Sequence, residues 1–243
     1  MNSIEFEWRL LLSQIIEEGN FNKKDDSRVL EILGYHTFVP CVLSKNSFFD
    51  QKSSLFRSYV KSGKFDIKGY PMSGEAIERY ISEFYDKKNI WCFNEEDGFV
   101  YTYPERLQAM RVWDKNIKGF APENQINIML SRLKESRGSN RAVATLYNCG
   151  LDGMEEDIPC LNWIQATIRN DELILHVMFR SNDIYGAWPS NMMFLMNVGL
   201  IILDNLREKY PSLYFKGIDY HVSSAHIYEN DLDAVEKILE VKK

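Results

Sequence analysis

An α+β fold is predicted for this chain of 243 residues, in a single domain spanning residues 1–243. Three observations carry the prediction. Segments of the second half are rich in β-branched and aromatic residues, as strands are. One long apolar helix, Ser190 to Glu208, interrupts them, and a helix apolar on most faces belongs at the centre of a domain. Hydrophobic residues make up 45% of the chain and charged residues 26%, which suits a buried core and argues against disorder.

From the N-terminus, residues 5–18 (EFEWRLLLSQIIEE) carry apolar side chains at helical spacing and predict an amphipathic helix, stopped by Gly19-Asn20. A polar stretch, NKKDDS, follows. Val29 to Val42 reads as strand, with Gly34 marking a bulge or bend. Residues 44–70 are mixed and polar and match no element well. Gly74 to Asp86 predicts a second helix, Phe99 to Tyr103 a short strand, and Asn124 to Lys134 (NQINIMLSRLK) a third helix. The strand-like segments beyond are Arg141 to Tyr147, Cys160 to Ile168, Leu173 to Phe179 and Gly217 to His226. The long helix among them ends on the charged DNLREKY, with Pro211 after it. No repeat or linker is evident.

Composition excludes several classes. A net charge of −6 argues against bulk nucleic-acid binding, which needs a concentrated basic face, yet leaves room for a small anion held by a few aimed arginines. No membrane segment is expected: the most apolar run, Met192 to Leu203, is short and interrupted by Asn197 and Gly199. The N-terminus has acidic residues where a signal peptide has positive charge. Cys41, Cys92, Cys149 and Cys160 show no CxxC spacing and no clustered histidine partners along the sequence, which argues against zinc and against a disulfide framework. A reducing cytoplasm is the natural compartment, and no metal is expected.

The chemistry-bearing residues fall near strand ends. Pro159-Cys160 opens one strand, with Gln165 in it; Arg180-Ser181-Asn182-Asp183 closes the next. Pro189-Ser190-Asn191 opens the apolar helix, and His226 and Tyr228 stand two apart in a strand pattern, hence on one face. An arginine beside a cysteine favours the thiolate, and a thiolate can act as a covalent catalyst.

This ordered set resembles the thymidylate synthase family, closest to its short, archaeal-type branch. The family carries a PC motif, a glutamine five residues after the cysteine, an R-S-x-D beginning twenty residues after it, a P-x-N and an H-x-Y; all occur here in order. RAVATLYN resembles the segment with a phosphate arginine nineteen residues before the cysteine, the place of Arg141. GFVYTYPERL resembles the "vYG" segment, NQINIML the "DQI" segment, and SRVLEILGYHTF the N-terminal segment with a further phosphate arginine, Arg28. The likeness is strong from about residue 99 to 231 and weak before.

The resemblance implies the thymidylate synthase fold, a large mixed β-sheet packed against helices around the long buried helix. It implies an enzyme in which Cys160 adds to C6 of a pyrimidine nucleoside monophosphate, so that C5 attacks a one-carbon unit from 5,10-methylenetetrahydrofolate, the reduced-folate cosubstrate. Arg28, Arg180, Ser181 and Arg141 would hold the 5′-phosphate, with Arg141 reaching across a homodimer. Arginine suits this because its planar fork matches phosphate oxygens. Asn191 would read the base edge, His226 and Tyr228 the sugar hydroxyl, and Gln165 would support the site around the nucleophile. Asp183 would meet the folate pterin, with Trp91 as an aromatic platform, and Tyr103 the proton and water network. Glu75 is the general-acid candidate, with Glu78 next.

Departures bear on the product. Asn140 stands where the family has a second arginine, Leu161 replaces a histidine after the nucleophile, and Pro104 replaces the glycine after Tyr103. The C-terminal DAVEKILEVKK differs from the tail that closes over the folate in bacterial synthases, which favours the short branch or a hydroxymethylase. A carboxamide at Asn191 offers donor and acceptor together, as uracil requires. The leading expectation is dUMP methylation to dTMP. The alternatives are a 5-hydroxymethylase acting on a (d)CMP or dUMP and, from another class, a nucleotide-binding protein without turnover.

Overall fold

The computed structural model describes residues 3–24, 26–41, 51–62, 67–82 and 101–240. Helix α1 (Ser3–Glu18) buries Ile4, Trp8, Leu11, Leu12 and Ile15, the stripe its spacing predicts. The polar stretch behind it is a strand, β1 (Asn20–Lys24), paired antiparallel with β2 (Ser27–Pro40). A strand of polar, largely exposed residues at a sheet edge carries no hydrophobic alternation, so only its backbone ladder reveals it. Gly34 has φ 69°, and the β2 register continues across it.

Helix α2 (Ser53–Lys61) lies in the segment that matched no element, and α3 (Gly74–Ser82) follows. Of the strand expected at Phe99 to Tyr103, residues 99 and 100 lie outside the described residues and the rest is corrected. Tyr103 starts helix α4 (Tyr103–Gln108), because Thr102 Oγ1 accepts from Glu105 N at 3.2 Å as an N-cap and Pro104 suits the first turn. A separate hairpin, β3 (Met110–Asp114) and β4 (Gly119–Glu123), precedes α5 (Gln125–Glu135), which Asn124 caps. The strand expected from Arg141 shrinks to β5 (Val143–Thr145), followed by the short helix α6 (Cys149–Asp152). Then come β6 (Leu161–Arg169), β7 (Glu172–Phe179), β8 (Asn182–Asp183), α7 (Trp188–Leu206), β9 (Tyr214–Tyr228) and α8 (Leu232–Glu240).

The large sheet runs β1-β2-β9-β7-β6-β5, with β8 beside β9. The β7–β9 and β8–β9 pairs are parallel and the others antiparallel, so the sheet is mixed, as expected. Alternation assigns its faces. Leu173, Leu175, Val177 and Phe179 of β7 are fully buried. That inner face packs on α7, and α1, α2, α3 and α5 pack around α7 in turn. Ile174, His176 and Met178 alternate onto the outer face, which no described helix covers as α7 covers the inner one. Among the described residues no helix is long and apolar enough to cross a membrane.

Candidate active site

Strand register gathers the candidate residues. Strand β7 ends beside β9, which runs on past it next to parallel β8, and antiparallel β6 and β2 begin beside the ends of β7 and β9. Phe179 is level with Val222 and with Leu161, Asp183 with His226, and Val29 with Tyr228. Cys160, Arg180, Ser181, Asp183, His226, Tyr228 and Arg28 thereby share one end of the sheet.

Cys160 immediately precedes β6, half-buried, with Sγ 3.7 Å from Ser181 Oγ. Arg180 clamps the chain carrying it. Its Nε donates to Pro159 O at 3.2 Å, one terminal nitrogen to Ile158 O at 2.8 Å and the other to Ser181 Oγ at 3.3 Å. The Arg180 backbone N–H donates to Cys160 O at 2.8 Å. A guanidinium has five N–H donors in a fixed fork, so about two stay available for an anion. Tyr101 Oη donates to Ile158 O at 3.2 Å, and Tyr103 Oη accepts from Leu161 N at 3.2 Å, which leaves the Tyr103 O–H free to donate. Burial raises both phenols well above their ordinary range; for Tyr103 the neighbouring Tyr80 and Cys160 add to it, and for Tyr101 Cys160 and Asp157. Both stay protonated donors beside the thiol.

Asn191, in the first turn of α7, is buried in a polar chain. Its Nδ2 donates to Asn182 Oδ1 at 3.2 Å, Asn182 Nδ2 donates to Tyr220 Oη at 3.1 Å, and Tyr80 Oη reaches Asn191 Oδ1 at 3.5 Å. The carboxamide keeps one further N–H and one lone pair, a donor–acceptor edge.

At the end of β9 the His226 and Tyr228 rings meet edge to face, 5.3 Å apart. Lys24 Nζ lies 2.8 Å from His226 Nε2 and donates to Tyr228 Oη at 3.2 Å. Burial, then the Lys24 ammonium, pushes His226 down to about 4, so the imidazole is neutral at pH 7 and its Nε2 accepts from Lys24. Arg28, more than half exposed, pairs with Glu229 at 2.8 Å and stacks over Phe21 at 4.1 Å. Asp183 Oδ1 accepts from Gly186 N at 3.0 Å, and burial raises its carboxyl above the ordinary range. A Cβ on Gly186 would come 2.5 Å from Asp183 Oδ2, so a side chain there would have to push this carboxylate aside.

Other expected residues are placed elsewhere. Glu75 is exposed in the first turn of α3; at about 100° per residue it points roughly 140° away from Tyr80, the α3 residue that reaches Asn191. Glu78 lies nearly opposite Tyr80 and accepts from Ser82 Oγ at 2.8 Å. Gln165 alternates onto the outer face of β6, where its Nε2 donates to Asn140 O at 2.6 Å, tying down the segment that carries Arg141 rather than the nucleophile. Arg141 is exposed, and its side chain has no ion pair among the described residues. Trp91 lies outside the described residues.

Lys24, Tyr80, Tyr101 and Asn182 join the site without having been expected there. Lys24 had one legible signal, a basic residue shortly before Arg28. Tyr80 had none, because its partner Asn191 lies 111 residues away; Asn182 stands inside the Arg180–Asp183 motif, but its meeting with Tyr220, 38 residues on, is not written there.

A sequence model of the family described as Thymidylate synthase matches residues 73–243. Among curated relatives, a candidate thymidylate synthase of Methanothermobacter thermautotrophicus is 28% identical over 98% of this chain and 96% of its own length. Another, of Methanocaldococcus jannaschii, is 33% identical over 69% of this chain and 70% of its own. A third, of Methanothermobacter marburgensis, is 30% identical over 71% of this chain and 67% of its own.

Proposed function

Since the chain belongs to the thymidylate synthase family, whose members transfer a one-carbon unit from methylenetetrahydrofolate to a pyrimidine nucleotide, we propose that it methylates dUMP to dTMP. The observation that carries this reading is the placement of the Cys160 thiol 3.7 Å from Ser181 Oγ, on a loop clamped by Arg180.

In this reading the Cys160 sulfur adds to C6 of the pyrimidine as a thiolate, and the electron pair released towards C5 makes that carbon the nucleophile. The protonated tyrosines Tyr101 and Tyr103 hold donors beside the sulfur. Arg180 and Ser181 present N–H and O–H groups to the 5′-phosphate, and Arg28 lies at the same end of the sheet. Asn191 offers its remaining N–H to O4 and its carbonyl to N3–H of uracil, oriented by Asn182. Tyr228, whose Oη accepts from Lys24, donates its O–H to a sugar hydroxyl, and neutral His226 holds Lys24 in place beside it.

The folate supplies the one-carbon unit and, in a synthase, the hydride that completes a methyl group. Asp183 fits its pterin end: the ring's N–H groups call for an acceptor, and Asp183 is a half-buried carboxylate in a cradle kept open by Gly186. In this reading the exposed Arg141, next to the Asn140 that Gln165 tethers, reaches a neighbouring subunit, and the active form is a homodimer that shares arginines.

The test is a nucleotide panel: dUMP, UMP, dCMP and CMP with labelled methylene donor, following dihydrofolate absorbance and product mass. Dihydrofolate together with dTMP supports the synthase. Hydroxymethyl product without folate oxidation replaces it with a hydroxymethylase, and tight nucleotide binding without release of C5 tritium from any substrate makes the protein a non-catalytic binder. Cys160→Ser should abolish tritium release, and mixed dimers of Cys160 and Arg141 variants should regain activity.

A further inference from the structure

The stretch from Asp183 to Ala187 links β8 to α7 and carries the carboxylate assigned above to the pterin. Its own N–H groups turn back on Asp183. Gly186 N donates to Asp183 Oδ1 at 3.0 Å, the Tyr185 N–H also reaches that carboxylate, and Ala187 N donates to the Asp183 carbonyl at 3.1 Å. Two of its carbonyls are held from outside, by aromatic side chains of the N-terminal part of the chain. Trp8 of α1 donates its indole N–H to Ile184 O at 2.7 Å, across 176 residues. Tyr70 donates its O–H to Gly186 O at 3.0 Å, across 116 residues.

A trans peptide group is a rigid plane whose C=O and N–H point in opposite directions. Trp8 therefore grips the Ile184 oxygen of the plane whose other end is the Tyr185 N–H on the Asp183 carboxylate. Tyr70 grips the Gly186 oxygen of the plane whose N–H, that of Ala187, bonds the Asp183 carbonyl. On the reading of Asp183 as the pterin acceptor, we propose that Trp8 and Tyr70 are positioning residues for the folate. Each acts through one of these planes, and together they set the direction in which the Asp183 carboxylate faces the cosubstrate. Hydrogen bonds weaken steeply with misalignment, so a tilt of this carboxylate weakens its hold on the pterin N–H groups.

Both donors are themselves fixed. Trp8 is fully buried, edge to face with Tyr70 at 5.6 Å and stacked on Tyr185 at 6.5 Å, so the two donors and the loop they bond form one packed unit. Burial raises the Tyr70 phenol above its ordinary range, so it stays a donor at neutral pH, and Ser190 donates to its oxygen in turn. Tyr70 follows Gly69, which turns the chain at φ 88°, a conformation open to glycine. Arg9, next to Trp8 on α1, donates to Lys68 O at 2.8 Å and ties that turn to the same helix. Trp8 and Tyr70 thus reach Asp183 from one support, and neither donates to Arg180, Ser181 or the Cys160 loop that meet the nucleotide.

The test compares Tyr70→Phe, which keeps the ring and deletes only the O–H, with Trp8→Phe and Asp183→Ala in the full chain. Calorimetry measures dUMP binding to each, then tetrahydrofolate binding to the dUMP complex, beside KM for 5,10-methylenetetrahydrofolate and kcat. Tyr70→Phe and Trp8→Phe should each weaken folate binding about threefold to tenfold, the worth of one hydrogen bond, and change dUMP binding less than about twofold. In the Asp183→Ala background, Tyr70→Phe should weaken folate no further, because its effect passes through that carboxylate. Equal losses of dUMP and folate binding mark a general loosening and overturn the proposal, as does full additivity with Asp183→Ala. Folate binding weakened by Asp183→Ala but unchanged by Tyr70→Phe removes the proposal and leaves the reading of Asp183 standing. Folate binding unchanged in Asp183→Ala, or absent from the wild type, removes that reading and the proposal with it. Should Trp8→Phe fail to fold, Tyr70→Phe and its double variant with Asp183→Ala decide.

Discussion

Replacing Asp152 by alanine should unfold this protein more readily than any comparable surface change, and the structure provides the magnitude. Asp152 of α6 and Arg106 of α4 are 3% and 7% exposed. They form a forked pair with N–O distances of 2.6 and 3.3 Å, and Asp152 also accepts from Asn148 N at 2.7 Å. The pair pins α4, which carries Tyr103, to the short helix that precedes the Cys160 loop. Asp152→Ala removes the bonded oxygens and strands a buried guanidinium, which costs about 3–5 kcal/mol. That is roughly a hundredfold to several thousandfold in the folded-to-unfolded ratio. Urea denaturation followed by far-UV circular dichroism should show the midpoint fall at unchanged slope. The double variant Arg106→Met/Asp152→Leu should recover most of the loss, because it leaves no unpaired charge. A single-variant loss below about 1 kcal/mol, the range of exposed pairs such as Arg132–Glu135, would refute the reasoning. So would a double variant as unstable as the single one.

Three further outcomes are expected. His226, pushed down to about 4 by burial and by Lys24, lies below its ordinary value near 6.5; the unfolded chain binds its proton first, so stability present above about pH 6.5 is lost as pH falls through about 4, by roughly 3 kcal/mol. Urea midpoints at pH 7 and pH 4.5 measure this, and an undiminished difference in His226→Gln would assign it elsewhere. Lys24→Met should raise the His226 pKa, read from its ring proton by NMR titration; an unchanged value would mean the contact does not form in solution. Gly199→Ala places a Cβ 2.3 Å from Phe215 Cζ, where α7 crosses β9; overpacking costs about 1–3 kcal/mol, against about 1 kcal/mol of gained helix propensity. A scanning calorimetry Tm should therefore fall or at best hold, and a rise would show that Phe215 has room to move.

The helical stripe of α1, the apolar run of α7 and the alternation along β7 were legible because each is a local consequence of side-chain period. So was the ordered set from Cys160 to Tyr228, since its spacing is a property of the chain itself. The strand at Asn20–Lys24 was hidden because a polar edge strand is defined by its partner, and Tyr103 began a helix because a threonine cap and a proline outweighed an aromatic alternation. Face assignments were likewise open to register alone: Gln165 proved to stand on the outer face and Glu75 on the far side of α3 from Tyr80. What the sequence determined by itself was the family and the α+β class, both carried by residue type and spacing. What only tertiary structure decided was which side chains meet: Arg180 on the Cys160 loop, Lys24 on His226, and three scattered histidines around Asp219. The physical reason is that strand pairing brings together residues tens to hundreds of positions apart, and no local pattern records that register.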